Sequence, residues 1–555
     1  MSGLRLFPTL LAGSLLLSCA LVVGAFNPAP HTGGDNAGYI GLAYGLLAHG
    51  TYTDVFDPAG LPHTKYPPVF PGILAVLMAL GARTWMWFKA TAGVFTVAAV
   101  GLTFLWSERR LGPWGAFGVA LLVAASSAVV YYSHWILSDP LFLALTMCSL
   151  WALDRSQEAR EEPTDVRWLA LGVLAAGLAY FTRSAGLPLV LALLAWLALR
   201  GRWRRLAVTA AVLGVPAVLW WLRGRRGGVA SYAAEFWMVD PYQPALGTVG
   251  VLDLGPRALT NLSAYVLRHG PSGIVGAQGS WVAVLGVALT AAALVGWVHA
   301  VRTGRRGPAE IFFPLYAGLI LLWPEVWAGD RFVLPLYPLL FLYAAWPLRH
   351  LARRTGSWSG LVVAAAMAVL LVPAARAWAG AATEASACAA VTREGGPFAC
   401  YGPRVAGFAE AARWADGALP EGSAVMTRKP RHFFVLSGVP SRTFPFDDDP
   451  AVQLREADEV GARYVLLDQW DAQAGRFLAP AVTAQPGAFC HVRSFPAAQL
   501  LGVRPAAERE RARPAPGAEV RLAPCPATYL RVGAGEVAYS SAISMRIPLL
   551  ERLDP

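Results

Sequence analysis

Long apolar runs alternate with short polar segments over the first two thirds of the chain, from residue 5 to about residue 378. Crossing the ~30 Å hydrocarbon core of a bilayer takes about 20 mostly apolar residues in a helix, and the runs have that length. Placing helices where a run is bounded by charge, Pro or Gly predicts eleven spans, which begin near residues 5, 85, 114, 139, 168, 186, 206, 280, 309, 331 and 358. This pattern is typical of a polytopic α-helical membrane protein.

The pattern changes after residue 378, where no long apolar run occurs and Pro, Arg, Asp and Glu become frequent. Residues 405–419 have the apolar spacing of an amphipathic helix, and short apolar runs follow at 424–426, 433–436 and 463–468. Such alternation favours the α/β class. We therefore expect a transmembrane domain at 1–378 and a soluble α/β domain at 379–555, with a loop at 504–516.

About sixty residues separate the first predicted span from the second, which is too long for a simple turn. Within this first outer loop, residues 35–50 place apolar side chains on one face at helical spacing, as expected for a helix lying on the membrane surface. Residues 67–80 are apolar and open with two prolines, which predicts a second interfacial helix.

The charges set the expected orientation. The chain is 56% hydrophobic and 15% charged, with a net charge of +11, and it contains no nucleic-acid-binding motif. The loops that the span count places inside carry sixteen basic residues, against nine in the longer outer loops. The positive-inside rule then places the N-terminus in the cytoplasm and the C-terminal domain outside the inner membrane. We interpret the first segment as an uncleaved helix, although Leu17-Ser18-Cys19 resembles a lipoprotein cleavage site.

Four of the six cysteines lie in the C-terminal domain, and an even number suits an oxidising compartment. Four cysteines allow three pairings. We predict that Cys388 pairs with Cys400, because the intervening loop is short, and that Cys490 pairs with Cys525. The alternative is four unrelated buried thiols.

Two carboxylates stand at predicted outer helix ends. Asp35 follows two glycines directly after the first span, where it could accept a proton from an acceptor hydroxyl. Asp139 precedes Pro140 at the outer mouth of the fourth span, where an ionisable group should face water, a partner or a site. Each could instead be a helix N-cap.

Cationic residues form the second group of candidates. Lys65 and Tyr66 precede Pro67 and the second interfacial helix, so an anionic phosphate could bind beside a helix N-terminus; the alternative is a snorkelling lysine. Arg183 and Arg331 each stand at the outer end of a span, and guanidinium groups bind phosphate through paired N–H donors. Singly, either could be a headgroup or ion-pair residue, for instance Arg331 with the neighbouring Asp330.

Several kinds of site are not indicated. The sequence contains no Walker loop, no GxGxxG after a strand, no HExxH and no Cys-rich metal motif. The residues of the first outer loop that could hold a divalent ion have no diagnostic spacing; these are His31, His63, Asp54 and Asp57. We expect neither a metal nor a cofactor.

In this order, the motifs resemble those of the GT-C superfamily of integral-membrane glycosyltransferases, particularly the protein O-mannosyltransferases and the bacterial lipid A aminoarabinose transferases. The matching stretches are GGDNAGYIGLAYGLLAHG with Asp35, KYPP with Lys65, SDPLFLAL with Asp139, TRSAGL with Arg183 and DRFVLPLYP with Arg331. The resemblance covers roughly residues 5–350, and parts of the tail are similar to the extracytoplasmic domain of some bacterial members. Some relatives carry a carboxylate where this chain has Thr64, so substrate preference does not transfer.

The resemblance implies an inverting transfer of a sugar from a polyprenyl-phosphate donor to a lipid, glycan or protein acceptor on the outer side. Asp35 would be the general base, with Asp139 orienting the acceptor or assisting, while Lys65, Tyr66, Arg183 and Arg331 would bind the donor phosphate. A transporter or lipid-handling protein is the competing class, and it predicts charges deep within spans or symmetric repeats. A noncatalytic scaffold of the same fold is a third possibility.

Overall fold

The structure is a computed structural model that describes residues 3–158, 162–225, 232–304, 307–509, 511–512, 522–531 and 545–553. It is mostly helical. The helices of the first 395 residues are α1 Gly3–Gly24, α2 Gly34–His49, α3 Val69–Ala79, α4 Trp85–Ala125, α5 Ser127–Tyr132, α6 Asp139–Glu158, α7 Glu162–Thr182, α8 Leu187–Leu199, α9 Trp203–Arg225, α10 Tyr232–Phe236, α11 Leu254–Ala264, α12 Gly270–Val275, α13 Ser280–Arg302, α14 Pro308–Leu322, α15 Tyr337–Arg354 and α16 Ser359–Gly395.

The remaining elements are shorter and include a sheet. The helices are α17 Pro403–Ala418, α18 Pro430–Ser437, α19 Pro450–Glu459, α20 Ala479–Ala484, α21 Ala506–Arg509 and α22 Pro548–Glu551. The strands are β1 Val425–Met426, β2 Ser441–Arg442, β3 Tyr464–Asp468, β4 Phe489–Phe495 and β5 Ala498–Val503.

Each of the eleven predicted spans coincides with a helix. The second and third are the two halves of α4, which kinks where Gly112 has a φ of 75° and Pro113 restarts the helix. Among the described residues, seven helices are long and apolar enough to cross a membrane, with α4 counted once. The chain is thus a multi-pass membrane protein, while the number of crossings and their orientation remain predictions.

The chain divides into two compact units, each described here by itself. Unit 1 comprises residues 1–27, 64–70 and 89–385, and unit 2 comprises residues 28–63, 71–88 and 386–555. Unit 2 therefore includes most of the first outer loop together with the C-terminal part. The sequence-based division at 378 did not anticipate this grouping.

In unit 1, buried apolar side chains from α1, α4, α6, α8, α13, α14 and α15 form one continuous core. Both ends of α6 carry buried charge. Near its C-terminal end, Asp154 accepts from Arg110 Nε at 2.9 Å, and Arg110 Nη1 lies 2.5 Å from Glu310 Oε1, which also accepts from the Tyr343 hydroxyl at 3.1 Å. Fifteen residues at 1.5 Å rise separate Asp139 from Asp154 by about 22 Å. Unit 1 thus has an apolar middle between two polar layers.

In unit 2, the sheet has the strand order β2-β1-β3-β5-β4, with the first three strands parallel and the last two antiparallel to their neighbours. Helix α17 packs closely against the turn between β4 and β5. A Cβ on Gly407 would be 1.6 Å from the Pro496 carbonyl oxygen of that turn. Helix α2 packs on α18, where the rings of Tyr44 and Phe434 meet edge to face at 6.4 Å. Residues 28–63 of the first outer loop are therefore part of the sheet-containing unit.

Both edges of this sheet are covered. On the β2 edge, Ser441 N donates to the Phe56 carbonyl at 2.6 Å, and Arg442 forms a two-point contact with Asp57 at 2.9 and 2.6 Å. On the β4 edge, His491 exchanges backbone hydrogen bonds with residues 523 and 525, both at 2.9 Å. A disulfide joins Cys490 to Cys525 at this edge.

The predicted disulfide pairing is confirmed, since Cys388 is also bonded to Cys400. The predicted helix at 405–419 is confirmed as α17, and residues 424–426 and 463–468 supply β1 and β3. Residues 433–436 instead belong to helix α18, because Pro430 begins a helix there and a short apolar run suits helix and strand equally. The predicted loop at 504–516 contains the short helix α21, while residues 510 and 513–516 lie outside the described residues.

The two predicted interfacial helices are α2 and α3. The single apolar face predicted for α2 is wrong. Residues 36–45 are buried on every side, because α2 packs within unit 2 rather than exposing one face. Gly45 contributes to this packing, since a Cβ there would lie 2.9 Å from Val55 Cγ1.

Candidate active site

Asp139, Arg183 and Arg331 come together in unit 1. Asp139 opens α6 and its side chain is 4% exposed. One carboxylate oxygen accepts from Arg183 Nη1, and the other accepts from Arg331 Nε at 2.7 Å. The carboxylate thus bridges two guanidinium groups that enter from the segments before α8 and α15, and the three side chains carry a net charge of +1.

This geometry bears on two alternatives that the sequence left open, for Asp139 and for Arg331. Asp139 is not simply a helix cap, because both of its oxygens bind arginine side chains. Arg331 reaches Asp139, whereas Asp330 accepts from the Tyr132 hydroxyl at 3.0 Å. Asp330 and Arg331 are adjacent in a 3-10 helix, Asp330–Leu336, so their side chains leave the backbone in different directions.

Aromatic side chains lie against and near this cluster. The Arg183 guanidinium lies 5.5 Å from the centre of the Phe332 ring, a cation–π distance. Tyr337 donates to the Gly270 carbonyl at 3.2 Å, and a Cβ on Gly273 would lie 2.1 Å from the Tyr337 hydroxyl. Sequence reasoning did not identify Tyr132 or Tyr337 as neighbours of the cluster, and tyrosines in apolar segments give no signal of this kind.

Lys65 is also in unit 1 and forms an ion pair. Its ammonium lies 2.5 Å from Glu235 Oε1; the side chains are 29% and 5% exposed, respectively. Arg257 holds the segment after α10 by donating to the carbonyls of Phe236 and Met238, both at 2.7 Å. Tyr66 is half-buried in the bend before α3. Glu235 was missed because 170 residues separate it from Lys65 and nothing in its local sequence marks it.

Asp35 lies in unit 2, in the first turn of α2, and is half-buried. The N-cap of α2 is Gly33, so the interpretation of Asp35 as an N-cap is wrong. A carboxylate in the first turn is stabilised by the positive end of the helix dipole. The structure therefore places Gly33, rather than Asp35, at the N-cap of α2.

The other acidic and histidine residues of the first outer loop have structural contacts. His63 Nδ1 lies 2.8 Å from Asp54 Oδ1, and Asp57 binds Arg442 in unit 2. Among the described residues, no group of three or more His, Cys, Asp or Glu side chains is arranged to hold a metal ion.

No family of known sequences matches this chain, and no curated protein matches it either. Solved structures do match it. ArnT from Cupriavidus metallidurans bound to undecaprenyl phosphate has a TM-score of 0.54 at 15% identity, with 90% of this chain and 98% of that chain covered. The oligosaccharyltransferase of Archaeoglobus fulgidus, in complex with Zn and sulfate, has a TM-score of 0.55 at 14% identity. The match covers 88% of this chain and 72% of the oligosaccharyltransferase chain.

Both neighbours are GT-C glycosyltransferases. The chain has the GT-C fold. The likeness extends over nearly the whole of ArnT, so the resemblance read from the motifs is confirmed at the level of the fold. At this identity the GT-C fold does not define the residues that bind or react in this chain. Those assignments depend on the side chains described above.

Proposed function

We propose that this chain is an inverting glycosyltransferase that moves a sugar from a polyprenyl-phosphate donor to an acceptor on the extracytoplasmic side of the inner membrane. The observation that carries the proposal is the partly buried cluster in which the guanidinium groups of Arg183 and Arg331 converge on Asp139 at the start of α6. Two converging guanidinium groups suit the phosphate of a lipid donor. The ArnT neighbour, which is bound to undecaprenyl phosphate, supports the same donor class.

Each residue has a stated task in this proposal. Lys65, Tyr66, Arg183 and Arg331 bind the donor phosphate and stabilise the charge that develops on it as the glycosidic bond breaks. Asp139 holds the two guanidinium groups in a fixed relation to each other, and orients the acceptor or assists the base. Asp35 is the general base.

The reaction balances without a cofactor or a metal. The acceptor hydroxyl gives its proton to Asp35, and its oxygen forms a bond with the anomeric carbon. The bond between that carbon and the phosphate oxygen breaks, and polyprenyl phosphate leaves with the electron pair. One displacement inverts the configuration at the anomeric carbon. The acceptor is a lipid, a glycan or a protein.

The test separates binding from chemistry. A deletion strain should accumulate polyprenyl-phosphate sugar in its lipid extract, and the unmodified gene should restore the normal level. Asp35→Asn should fail to restore it, with transfer reduced ~100-fold or more, yet the purified variant should bind undecaprenyl phosphate as the unmodified protein does. Lys65→Ala should weaken that binding as well as transfer, because it removes a phosphate contact.

Two control variants alter exposed charges that have no assigned task. Asp448→Asn and Arg268→Ala should restore the lipid level and bind undecaprenyl phosphate normally. If Asp35→Asn restores the lipid level fully, Asp35 is not the base. If deletion leaves the level of polyprenyl-phosphate sugar unchanged, the proposal as a whole is overturned.

A further inference from the structure

The turn before Asp35 is built around His31. Gly33 N donates to His31 Nδ1 at 2.9 Å, and the side-chain amide of Asn36 contacts the same nitrogen at 3.2 Å. Since the backbone N–H can only donate, Nδ1 is the acceptor, and in the neutral ring the proton is on Nε2. A Cβ on Gly33 would lie 2.6 Å from His31 Cε1, so the ring lies directly over the glycine. His31 therefore fixes the residues on both sides of Asp35.

His31 is in turn held by a second histidine of the same unit. His432 belongs to α18 and is fully buried, and its Nε2 lies 3.1 Å from the backbone carbonyl oxygen of His31. A carbonyl only accepts, so Nε2 is the donor and carries the ring proton. Burial lowers the pKa of His432 to about 3, so the ring is neutral near neutral pH and its tautomer is fixed by this bond.

The position of His432 is itself well determined. Its ring lies 5.3 Å from the ring of Trp470, which also meets Phe408 edge to face at 4.8 Å. Lys429, three residues earlier, lies over the same Trp470 ring at 5.8 Å. This packing fixes the orientation of the His432 ring, and with it the direction of the hydrogen bond to the His31 carbonyl.

We propose that His432 is a positioning residue for Asp35 and acts through His31. The inference rests on the proposed function, in which Asp35 is the general base. His432 N–H holds the His31 carbonyl, the His31 ring holds Gly33 and Asn36, and these two residues bracket the start of the helix that carries Asp35. Helix α18 thereby sets the placement of the base within unit 2. The placement matters because a displacement of about 1 Å can reduce turnover ~100-fold.

Two substitutions of His432 test whether its N–H donor matters. His432→Phe keeps a planar ring of similar size but removes the donor, while His432→Gln keeps an N–H group able to reach the same carbonyl. His491→Phe is the matched control, because His491 is a histidine of the same unit whose ring has a local hydrogen-bond partner, Ser494, three residues along the same strand. Each variant is expressed in the deletion strain, and its lipid extract is assayed for polyprenyl-phosphate sugar. The purified proteins are tested for undecaprenyl phosphate binding and thermal unfolding.

We expect His432→Phe to reduce transfer ~10-fold or more, with undecaprenyl phosphate binding unchanged. His432→Gln should recover most of the transfer, and His491→Phe should behave as the unmodified protein. In the Asp35→Asn background, His432→Phe should cause no further loss, since a group that acts through Asp35 has nothing left to position. A role in stability alone would instead lower the unfolding temperature of His432→Phe, and the losses would add in the double variant.

The outcomes distinguish this inference from the proposed function. If Asp35→Asn abolishes transfer and His432→Phe retains the unmodified rate, the positioning role is refuted and the function stands. If Asp35→Asn has no effect, the assignment of the base fails first. Equal loss in His432→Phe and His432→Gln would also refute the role of the N–H donor.

Discussion

Asp139→Asn is the substitution most directly tied to the geometry of the cluster. The variant keeps the size of the side chain but removes the charge that two guanidinium groups share, and its amide N–H₂ would point at one of them. Arg183 and Arg331 would then face each other across a neutral group. The local net charge would become more positive by one unit in a largely buried place.

The structure sets the size of the effect. The side chain of Asp139 is 4% exposed, while those of Arg183 and Arg331 are 13% and 21% exposed. Removing one partner of a fully buried ion pair costs about 3–5 kcal/mol, and the partial exposure of the arginines lowers our expectation to about 2–4 kcal/mol of unfolding free energy. Asp330→Asn is the matched control, because an amide oxygen can still accept from the Tyr132 hydroxyl and the cost should stay under about 1 kcal/mol.

The assay is unfolding of both purified variants in mixed micelles titrated with sodium dodecyl sulfate, followed by tryptophan fluorescence. Asp139→Asn should unfold at a clearly lower detergent fraction than Asp330→Asn. Equal midpoints for Asp139→Asn and the unmodified protein would show that the carboxylate does not hold the arginines, and the argument that it brings two guanidinium groups together for phosphate binding would lose its basis.

Three further predictions concern other parts of the chain. Gly407→Ala should cost at least about 3 kcal/mol in unfolding free energy, because its Cβ would overlap a backbone oxygen, whereas Gly475→Ala meets open space and should cost little. Burial raises the pKa of Asp468 to about 6. The folded state therefore binds more protons than the unfolded chain between about pH 4 and 6, so stability falls as pH rises through that window. Asp468→Asn should remove up to about 3 kcal/mol of that loss. The unfolding temperature of the variant should therefore exceed that of the unmodified protein by more at pH 8 than at pH 5. Reporter fusions after Arg205 should report cytoplasm, and fusions near Thr51 should report the outside; a cytoplasmic result at Thr51 would reverse the orientation.

The helices could be predicted from sequence because the bilayer imposes one strong constraint on length and hydropathy. Every predicted span is a helix, and the break within α4 was visible as Gly112-Pro113 before a new apolar run. The disulfide pairing followed from loop length. Residues 433–436 were uncertain for a physical reason, since four apolar residues fit a strand or a buried helix turn equally well.

The candidate site was only partly readable. Asp139, Arg183 and Arg331 were each identified from their positions at helix ends, but their mutual contacts join residues 44 and 192 positions apart, which no local pattern encodes. Glu235 was invisible for the same reason. The role of Asp35 stays a prediction. The histidine of α18 that holds its turn was not predicted, because a lone histidine in an apolar segment is usually a satisfied core residue.

The covered edges of the sheet in unit 2 have a consequence for biogenesis. An open strand edge is a template on which another chain can add a strand, and the usual result is aggregation. Here residues 56 and 57 of the first outer loop cover β2, and the segment fastened by Cys490–Cys525 covers β4. The loop is synthesised long before the sheet, whereas the disulfide forms only under oxidising conditions. A cell that lacks oxidative folding capacity should therefore accumulate chains whose helices are inserted but whose β4 edge is open to neighbouring copies.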